Sequence, residues 1–379
     1  MLLELGIWSG AAYLLHRSLF SPLTDKQKIE QVFENIKFGF KDKLPKHCFT
    51  HENNDVVIYS YHIPPGLTNA STLEEALTIV FDRPVKVELR SVLKIKVYKE
   101  NLKEKYKYES QKLESWNVPI GLSLDGMIYH DFDKIPHMIV AGATRWGKTA
   151  FFKMMLTSLI ENHPNDVEFY VLDLKGGLAF HRYSTLKQVK VVASNYKESA
   201  VALKQIEKDI QKTMKEFKRN FHENILDTNI TNRKFIFIDE AGELVPDKSM
   251  SDADKKHAAT CQRIMSHIVR VSGGLGYRMI FGTQYPTAKI MDNQIKANSS
   301  AKISFRLETS IQSKVAIDEP GAEKLPYPGR AIYRTTDRHL VQTPYISNKD
   351  MWNRLRRYEE SASTRKETDE RGENLVTFG

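Results

Sequence analysis

Cysteine is scarce in this chain of 379 residues, which contains only Cys48 and Cys261. The two residues are far apart in the sequence and show neither a disulfide framework nor the spacing of a zinc site. This argues against a disulfide scaffold and a zinc centre, and it suits a reducing cytosol. We also find no internal repeats and no low-complexity segment, so a repeat architecture is not indicated.

A long uninterrupted apolar run is missing as well. Residues 1–24 are largely apolar, but Glu4 and Arg17 interrupt them, whereas a membrane-spanning helix needs roughly 20 predominantly apolar residues. The stretch also lacks the basic start and the small-residue cleavage site of a signal peptide. We expect a cytoplasmic protein, and two interpretations of this segment stay open: a helix packed against protein, or contact with the inner face of the cell membrane.

Basic residues, by contrast, are in excess and give the chain a formal net charge of +9. This favours an anionic partner, with nucleic acid as the first candidate and an anionic membrane surface as the second. Apolar residues make up 41% of the sequence, so the chain can bury a sizeable core in two domains.

The first part of the chain, residues 25–117, has the pattern of a small α+β domain. The stretch DVVIYSYHI (55–63) alternates like a strand, and VKVELRSVLKIKVYK (85–99) has the pattern of one or two strands. The segment TLEEALTIVF between them is helical in pattern, and its Thr72 and Glu75 form a capping box.

The second part, residues 118–347, alternates short apolar runs with helical stretches. The apolar runs are HMIVAGA, VEFYVLDL, KFIFIDEA, YRMIFGTQ and AKISFRL. Continuous apolar strands separated by helices indicate an α/β fold, with a parallel sheet covered on both faces. RAIYRTTDRHLVQTPYI predicts a closing hairpin, and residues 348–379 are polar and predict a C-terminal tail.

The stretch GATRWGKT, residues 142–149, fits the pattern G-x-x-x-x-G-K-[ST] between a strand and a helix. Its glycines let the backbone curl so that N–H groups point at phosphate oxygens, and the helix start adds its positive dipole end. We predict a nucleotide site in which Lys148 contacts the β- and γ-phosphates and Thr149 binds Mg²⁺. The predicted loop residues are Gly142, Ala143, Thr144, Arg145, Trp146, Gly147, Lys148 and Thr149.

Two acidic residues, Asp239 and Glu240, follow the strand KFIFI. In a nucleotide-driven motor, the aspartate positions magnesium, and the glutamate orients and deprotonates the attacking water. The alternative is that the pair only caps the next helix.

Two further strands are followed by polar residues. YRMIFG leads into Thr283 and Gln284, where a side chain can sense the γ-phosphate or can simply satisfy a turn. VLDLKGG places Asp173 and Lys175 after another strand. There, a catalytic role and a structural turn at the two glycines are both open.

Together these motifs resemble the motor domain of the FtsK/SpoIIIE family of DNA translocases over roughly residues 119–347. The resemblance rests on HMIVAGATRWGKT, FIFIDEAGEL, GTQYPTAKIMDNQIKANSSAKISFRL and PGAEKLPYPGRAIY, in that order. It implies a RecA-like P-loop NTPase fold, assembly into a ring that is usually a hexamer, and pumping of double-stranded DNA driven by ATP and Mg²⁺. With its small N-terminal domain, the chain is most similar to the short FtsK-like coupling ATPases of integrative conjugative elements, plasmids and phages.

By position, this resemblance implies that Lys148 and Thr149 bind nucleotide and magnesium. It makes Asp239 and Glu240 the Walker B pair and puts Gln284 at the sensor position.

It also implies that the loops near PDKSMSDADKK and PTAKIMDNQIKAN face DNA. Lys289 and Lys296 of the second loop would make salt-dependent contacts to the DNA backbone; solvated surface lysines are the alternative. No segment after Ser347 matches the sequence-reading module of chromosomal translocases, so we do not expect sequence-directed pumping.

Two positions depart from the family pattern. Lys314 stands where many relatives have an arginine, which leaves open the residue that reaches into a neighbouring subunit's site. Arg306 is our first candidate for that role and Arg270 the second, because the planar guanidinium suits phosphate charge better than an ammonium. Trp146 stands where small residues are usual, and packing is its simplest role.

The sequence therefore predicts an ATPase that moves double-stranded DNA for a mobile element, either as a conjugative coupling protein or as a phage or plasmid DNA-handling motor. Its implied partners are double-stranded DNA, further copies of the chain, and a relaxase or another replication or transfer protein. A protein-export motor and a nucleotide-gated adaptor with little DNA dependence are the alternatives. The single phosphate loop counts against the first, and the intact Lys148, Asp239 and Glu240 count against the second.

Overall fold

The computed structural model describes residues 23–287 and 289–360. The chain divides between Asn101 and Leu102 into two compact units, earlier than the boundary after residue 117 that we predicted. Residues 102–117 belong to the second unit because Tyr108 and Trp116 are buried in its core. The predicted apolar segment at residues 1–24 lies almost entirely outside the described residues.

The first unit, in its described part, is a four-stranded antiparallel sheet in the order β1-β2-β4-β3 with two helices on one face. Its elements are α1 (Asp25–Asn35), β1 (Lys46–Glu52), β2 (Val56–His62), α2 (Ser71–Phe81), β3 (Val85–Leu89) and β4 (Leu93–Tyr98). The predicted strands and helix are confirmed. Their core forms where alternate residues of β2 and β4, such as Tyr59 and Ile95, meet Phe33 of α1 and Leu77 of α2.

Helix α2 begins differently from the prediction. Its N-cap is Ala70, which makes no side-chain cap bond, so the capping box predicted at Thr72 is wrong. The N-cap lies two residues earlier than predicted, which puts Thr72 inside the first turn instead of at the cap, where a hydroxyl would meet unpaired N–H groups. A complete capping box lies at the start of α1, between Thr24 and Gln27.

The second unit is larger. Its described strands are β5 (Tyr106–Lys107), β6 (Asn117–Ser123), β7 (Gly126–Asp131), β8 (Met138–Ala141), β9 (Val167–Leu172), β10 (Val189–Ala193), β11 (Arg233–Ile238), β12 (Tyr277–Thr283), β13 (Ala301–Ser304), β14 (Arg330–Arg334), β15 (Arg338–Gln342) and β16 (Pro344–Tyr345). Its described helices are α3 (Lys148–Asn162), α4 (Tyr196–Arg219), α5 (Asp252–Val271), α6 (Asn293–Asn298), α7 (Ser310–Ile317) and α8 (Asn348–Leu355).

Within the described residues, ten of these strands form one sheet in the order β10-β9-β11-β12-β8-β13-β14-β15-β6-β7, and β5 and β16 form a separate parallel pair. The strands from β10 to β13 in that order are parallel, and the remaining four extend the sheet with antiparallel pairing. The α/β fold with its largely parallel sheet is thereby confirmed, and so is the closing hairpin, which is β14 and β15.

Helices cover both faces of the parallel part. On one face α3 buries Phe152 and Leu159, and on the other α4 and α5 bury Leu203 and Ile264. Strands β8 and β12 are buried along their whole length, which accounts for the apolar runs MIVA in β8 and MIF in β12. Because the strands are parallel, their carboxyl ends meet at one edge of the sheet, where ligands bind in open α/β folds.

Residues 348–360, which we predicted to belong to a polar tail, fold onto the second unit. Helix α8 buries Met351 and Leu355 in the main core, since two apolar residues four positions apart dock one face of a short helix. The rest of the predicted tail lies outside the described residues. In the part of the chain that the structure describes, no helix is both long and apolar enough to cross a membrane.

Candidate nucleotide site

The loop between β8 and α3 is shaped by its glycines and anchored to two neighbouring strands. Gly147, the N-cap of α3, has a φ of 119°, a conformation that favours glycine. A Cβ on Gly142 would lie 2.7 Å from Cβ of Phe305, so this position also requires glycine. The Gly142 N–H donates to the Thr283 carbonyl at 3.1 Å. The loop is therefore fixed in place before α3 begins, and the first N–H groups of α3 are free of intrahelical partners.

Lys148 and Asp239 form a buried ion pair at the start of α3. Their side chains are 3% and 5% exposed, and Lys148 Nζ donates to Asp239 Oδ1 at 2.9 Å. The same ammonium donates to the backbone carbonyl of Asp239. Thr149 Oγ1 donates to Asp239 Oδ1 at 3.5 Å. The predicted lysine, threonine and aspartate thus meet at the carboxyl end of β11.

The oxygens of Thr149 and Asp239 suit Mg²⁺, which prefers hard oxygen ligands and usually takes one or two from the protein and the rest from phosphates and water. Among the described residues, no group of three or more His, Cys, Asp or Glu side chains could form a metal site of its own. Thr149 and Asp239 therefore suit a cation that binds together with a nucleotide, and not one that is held by protein ligands alone.

Glu240 is the most heavily hydrogen-bonded carboxylate of this edge. Its Oε1 accepts from Thr283 Oγ1 at 3.1 Å and from the Gly242 N–H at 3.3 Å. The Gln284 backbone N–H lies 3.1 Å from Oε1 and 3.0 Å from Oε2. Lys175 Nζ lies 3.3 Å from Oε2. The cap that we considered as an alternative is thus also present, because Glu240 caps the 3₁₀ turn that follows it.

Gln284 connects the glutamate to the phosphate loop. Its backbone N–H binds Glu240, while its side-chain Oε1 accepts from Thr144 Oγ1 at 2.9 Å. One residue at the end of β12 therefore contacts both the loop that would hold the phosphates and the predicted base. This is the arrangement that a γ-phosphate sensor needs.

Asp173 is built into a turn after β9. Its Oδ2 accepts from the backbone N–H groups of Ala179 and Phe180, each at 3.1 Å. Burial raises the pKa of the Asp173 carboxyl, and the nearby Asp239 carboxylate raises this pKa further. Burial also lowers the pKa of Lys153 on α3, against the opposing effect of Asp173 and Asp239. The structural interpretation holds for Asp173, whereas Lys175, in the same turn, reaches Glu240.

Trp146 and Arg306 form a stacked pair on the phosphate loop. The guanidinium carbon of Arg306 lies 4.7 Å from the centroid of the Trp146 ring, within the range of a cation–π contact. Arg306 Nη1 donates to the Leu325 carbonyl at 3.3 Å, and its backbone carbonyl accepts from the Ala143 N–H at 2.8 Å. The structure thus places Arg306 against its own phosphate loop, whereas we predicted that it reaches a neighbouring subunit.

Two cavities flank the loop. One, of about 390 Å³, is lined on its polar side by Thr144, Gln284 and Arg306, with Trp146 as a wall. The other, of about 560 Å³, opens beside Arg145, Gly147 and Ala150. Its remaining lining is largely apolar and includes Tyr106, Pro328, Gly329, Pro344 and Tyr345. The loop therefore separates a polar compartment from an apolar groove.

We expect Arg306→Ala to raise KM for ATP about three- to tenfold, the effect of losing a partly buried cation–π contact beside the phosphates. Arg306→Lys should restore little of the affinity, because an ammonium does not stack on the ring as a planar guanidinium does. The measurement is steady-state ATP hydrolysis together with the change in Trp146 fluorescence on nucleotide binding. Arg219→Ala, at an exposed position that ends α4, is the matched control. An unchanged KM in Arg306→Ala would contradict the prediction.

The other predicted residues lie away from this cluster. Arg270 is exposed at the end of α5 and donates to the Ser266 carbonyl at 3.2 Å; it precedes the amino end of β12 and so lies at the opposite edge of the sheet. Lys314 is exposed on α7. Lys296 Nζ lies 2.8 Å from Asp318 Oδ1.

Lys289 lines a cavity of about 400 Å³ between the loop after Gly242 and the loop after Gln284. Its ammonium is among the charges that lower the pKa of Asp247, after the hydrogen bonds from Ser249. Of the two lysines predicted to face DNA, Lys296 is thus held in an ion pair, and Lys289 lies between the two predicted DNA-facing loops.

Comparison with known proteins points to one family over the segment that carries this site. Residues 101–258, which include the phosphate loop, Asp239 and Glu240, match the model of the FtsK/SpoIIIE family. Over these residues the chain is similar to that family.

Curated proteins that are similar to this chain are DNA translocases named FtsK. The protein from Tropheryma whipplei (strain TW08/27) is 25% identical over 228 residues, which cover 57% of this chain and 31% of the relative. The protein from Chlorobaculum tepidum is 25% identical over 293 residues, which cover 71% of this chain and 34% of the relative. This chain therefore spans about a third of the length of these translocases.

Solved structures share the fold of this chain. The conjugation coupling protein TcpA of pCW3, in its monomer form with ATPγS, has a TM-score of 0.65 at 20% identity, covering 88% of this chain and 99% of TcpA. The cytoplasmic domain of the Type VII secretion ATPase EccC from Thermomonospora curvata has a TM-score of 0.56 at 20% identity. The match covers 69% of this chain and 33% of the EccC chain. At these identities the comparison concerns the fold alone.

Proposed function

We propose that this protein is an ATP-driven translocase of double-stranded DNA that acts as a ring oligomer for a mobile element. The observation that carries the proposal is the convergence of Lys148, Asp239, Glu240 and Gln284 at one edge of the sheet, with Gln284 bonded to both the loop and the glutamate. An adaptor that only binds nucleotide would not need a base coupled in this way to a sensor. The family domain and its translocase relatives support DNA as the substrate.

In the proposed mechanism, Lys148 and the first N–H groups of α3 bind the β- and γ-phosphates of ATP. Thr149 and Asp239 would hold Mg²⁺, which, when bound, offsets the negative charge of the phosphates. Glu240 orients the attacking water and accepts its proton. Gln284 changes its contacts when the γ-phosphate leaves.

We place the base and ribose of the nucleotide in the apolar groove beside Gly147 and Ala150. Base pockets are largely apolar with few polar groups, and the side chains of Tyr106, Pro344 and Tyr345 provide such a surface. The polar cavity on the other side of the loop, with Thr144, Gln284 and Arg306, then lies on the γ-phosphate side. This orientation follows from the polarity of the two cavities.

Double-stranded DNA is proposed to contact the loops that follow Gly242 and Gln284, where Lys289 lies. These loops extend from the carboxyl ends of β11 and β12 and so are attached directly to Glu240 and Gln284. Contacts to phosphates by lysine are sequence-independent and weaken with salt. A relaxase, or another replication or transfer protein, would deliver the DNA, in keeping with the fold shared with the coupling protein TcpA.

A protein-export motor is the second candidate. It is favoured by the fold shared with EccC and with EssC from Geobacillus thermodenitrificans, which has a TM-score of 0.58 at 15% identity. Against it, the EssC structure contains two ATPases, ATPases 2 and 3, whereas the proposed site is built on the single phosphate loop at residues 142–149.

The deciding experiment is ATP hydrolysis by the purified full chain with long linear double-stranded DNA, with single-stranded DNA, and without nucleic acid. We expect stimulation by the duplex that falls steeply between low and high salt, because the contacts are to phosphates. A rate that does not respond to duplex DNA would favour the export motor or the adaptor. Lys289→Ala should weaken apparent DNA affinity while leaving the rate without DNA unchanged.

A further inference from the structure

The turn after β9 places a lysine on the proposed base. Lys175 Nζ lies 3.3 Å from Glu240 Oε2, and the side chains are 37% and 5% exposed, respectively. Glu240 does not need this contact to hold its position, because Thr283, Gln284 and Gly242 already donate hydrogen bonds to its carboxylate.

A carboxylate offers about four lone-pair positions to hydrogen-bond donors. On Glu240, Oε1 faces Thr283 Oγ1 and the Gly242 and Gln284 N–H groups, and Oε2 faces the Gln284 N–H and Lys175. Within the described residues, donors thus fill the positions that a nucleophilic water would need. A water can be bound as a proton donor only where one of these donors leaves.

Lys175 is the donor that can move. Thr283 is fully buried at the end of β12, and the other two donors are backbone N–H groups fixed by the strand end and the 3₁₀ turn. Lys175 has a long flexible side chain on a turn with two left-handed glycines, Gly176 at φ 79° and Gly177 at φ 74°. Nothing lies within 4 Å of a Cβ built on Gly176, so this part of the turn has room to shift.

The base of the same turn is rigid. The Asp173 carboxylate accepts from the Ala179 and Phe180 N–H groups, and the Gly177 N–H donates to the Asp173 carbonyl at 3.2 Å. Beyond the glycines, the side chain of Leu178 is 91% exposed. The turn therefore has a fixed base, a glycine segment with open space at Gly176, and an exposed tip, and the part of Lys175 that can leave Glu240 is its long side chain.

We propose that Lys175 is a positioning residue that holds Glu240 inactive in the absence of DNA, and that the ammonium must leave Oε2 before Glu240 can bind the attacking water. The inference rests on the proposed function, in which Glu240 is the base and DNA stimulates turnover. It assigns the low rate without DNA to one ion pair. DNA engagement then acts by releasing this ion pair.

The test compares Lys175→Met with wild type in steady-state ATP hydrolysis, with and without saturating duplex DNA. We expect the kcat without DNA to rise about three- to tenfold, as for loss of one half-exposed charge-assisted hydrogen bond. KM for ATP should stay unchanged, and the DNA-saturated kcat should change less, so the stimulation factor falls. Lys175→Arg, which keeps a cation at the same reach, should keep the low rate without DNA.

The matched control is Lys190→Met, the same replacement at an exposed position on the adjacent strand β10. A kcat without DNA that is unchanged or lower in Lys175→Met would overturn the proposal, because the lysine would then be neutral or would assist Glu240. This failure is distinct from failure of the proposed function, which would show as normal turnover in Glu240→Gln or as no response of wild type to DNA.

Discussion

Lys148→Ala is expected to reduce kcat/KM for ATP at least about 10³-fold, an effect of about 4 kcal/mol on the transition state. The ammonium is buried and lies 2.9 Å from Asp239 Oδ1, where water screens its charge little. Truncation removes the cation that would meet the β- and γ-phosphates. It also leaves the Asp239 carboxylate, which is proposed to hold Mg²⁺, without its partner.

Nucleotide binding and hydrolysis should be measured separately in this variant, by titration with a fluorescent ATP analogue and by phosphate release. Lys215→Ala, at an exposed position on α4, gives the same replacement away from the site and should behave as wild type. Circular dichroism of both variants checks that the fold is kept. Turnover near the wild-type rate in Lys148→Ala would remove the loop at residues 142–149 from the mechanism.

Glu240→Gln should lower kcat by about 10² to 10⁴-fold, the usual contribution of a general base, while the affinity for ATP stays within roughly a factor of three. Glutamine keeps the volume of the side chain, and its amide oxygen can still accept from Thr283 and the Gln284 N–H, so the site keeps its shape. The lost function is proton acceptance from water. The variant should therefore trap ATP.

Single-turnover hydrolysis and retention of radiolabelled ATP after rapid desalting measure this trapping. Glu216→Gln, exposed on α4, is the control for the replacement itself. If Glu240→Gln hydrolysed ATP at the normal rate, then the carboxylate would serve only as the cap of the 3₁₀ turn, a role that the Gly242 N–H bond at 3.3 Å already shows.

Much of the fold follows from sequence because the local signals agree. The apolar runs in β8, β11 and β12 predict a parallel sheet, and the structure has it. The phosphate loop after β8 and the polar residues after β11 and β12 meet at the carboxyl edge of that sheet, as their positions predict. The loop at residues 142–149 is predicted because few sequences give that backbone curl. The elements missed are those fixed by tertiary contacts: residues 102–117, which join the second unit through Tyr108 and Trp116, and helix α8, which docks through only two apolar residues.

The site shows the same limit. Motif spacing predicts that Lys148, Asp239 and Glu240 meet, since each follows a strand of one sheet. It does not predict that Trp146 stacks on Arg306. The two residues are far apart in the sequence, and they meet only because β13, which Arg306 follows, lies next to β8 in the sheet. The sequence identifies Lys175 only as a polar residue after a strand, because its partner depends on the path of a glycine turn that no spacing rule encodes.

Gln284 has a mechanical consequence. Its side chain binds the phosphate loop, its backbone binds Glu240, and the next residue, Tyr285, is already 55% exposed on the surface. Gln284, which would sense the loss of the γ-phosphate, and the segment proposed to contact DNA are thus consecutive along one backbone, with no packed core between them. A movement of Gln284 would then reach the DNA-contacting segment over a short and stiff stretch of backbone. Little of the free energy of hydrolysis would be lost in deforming the protein before the DNA moved.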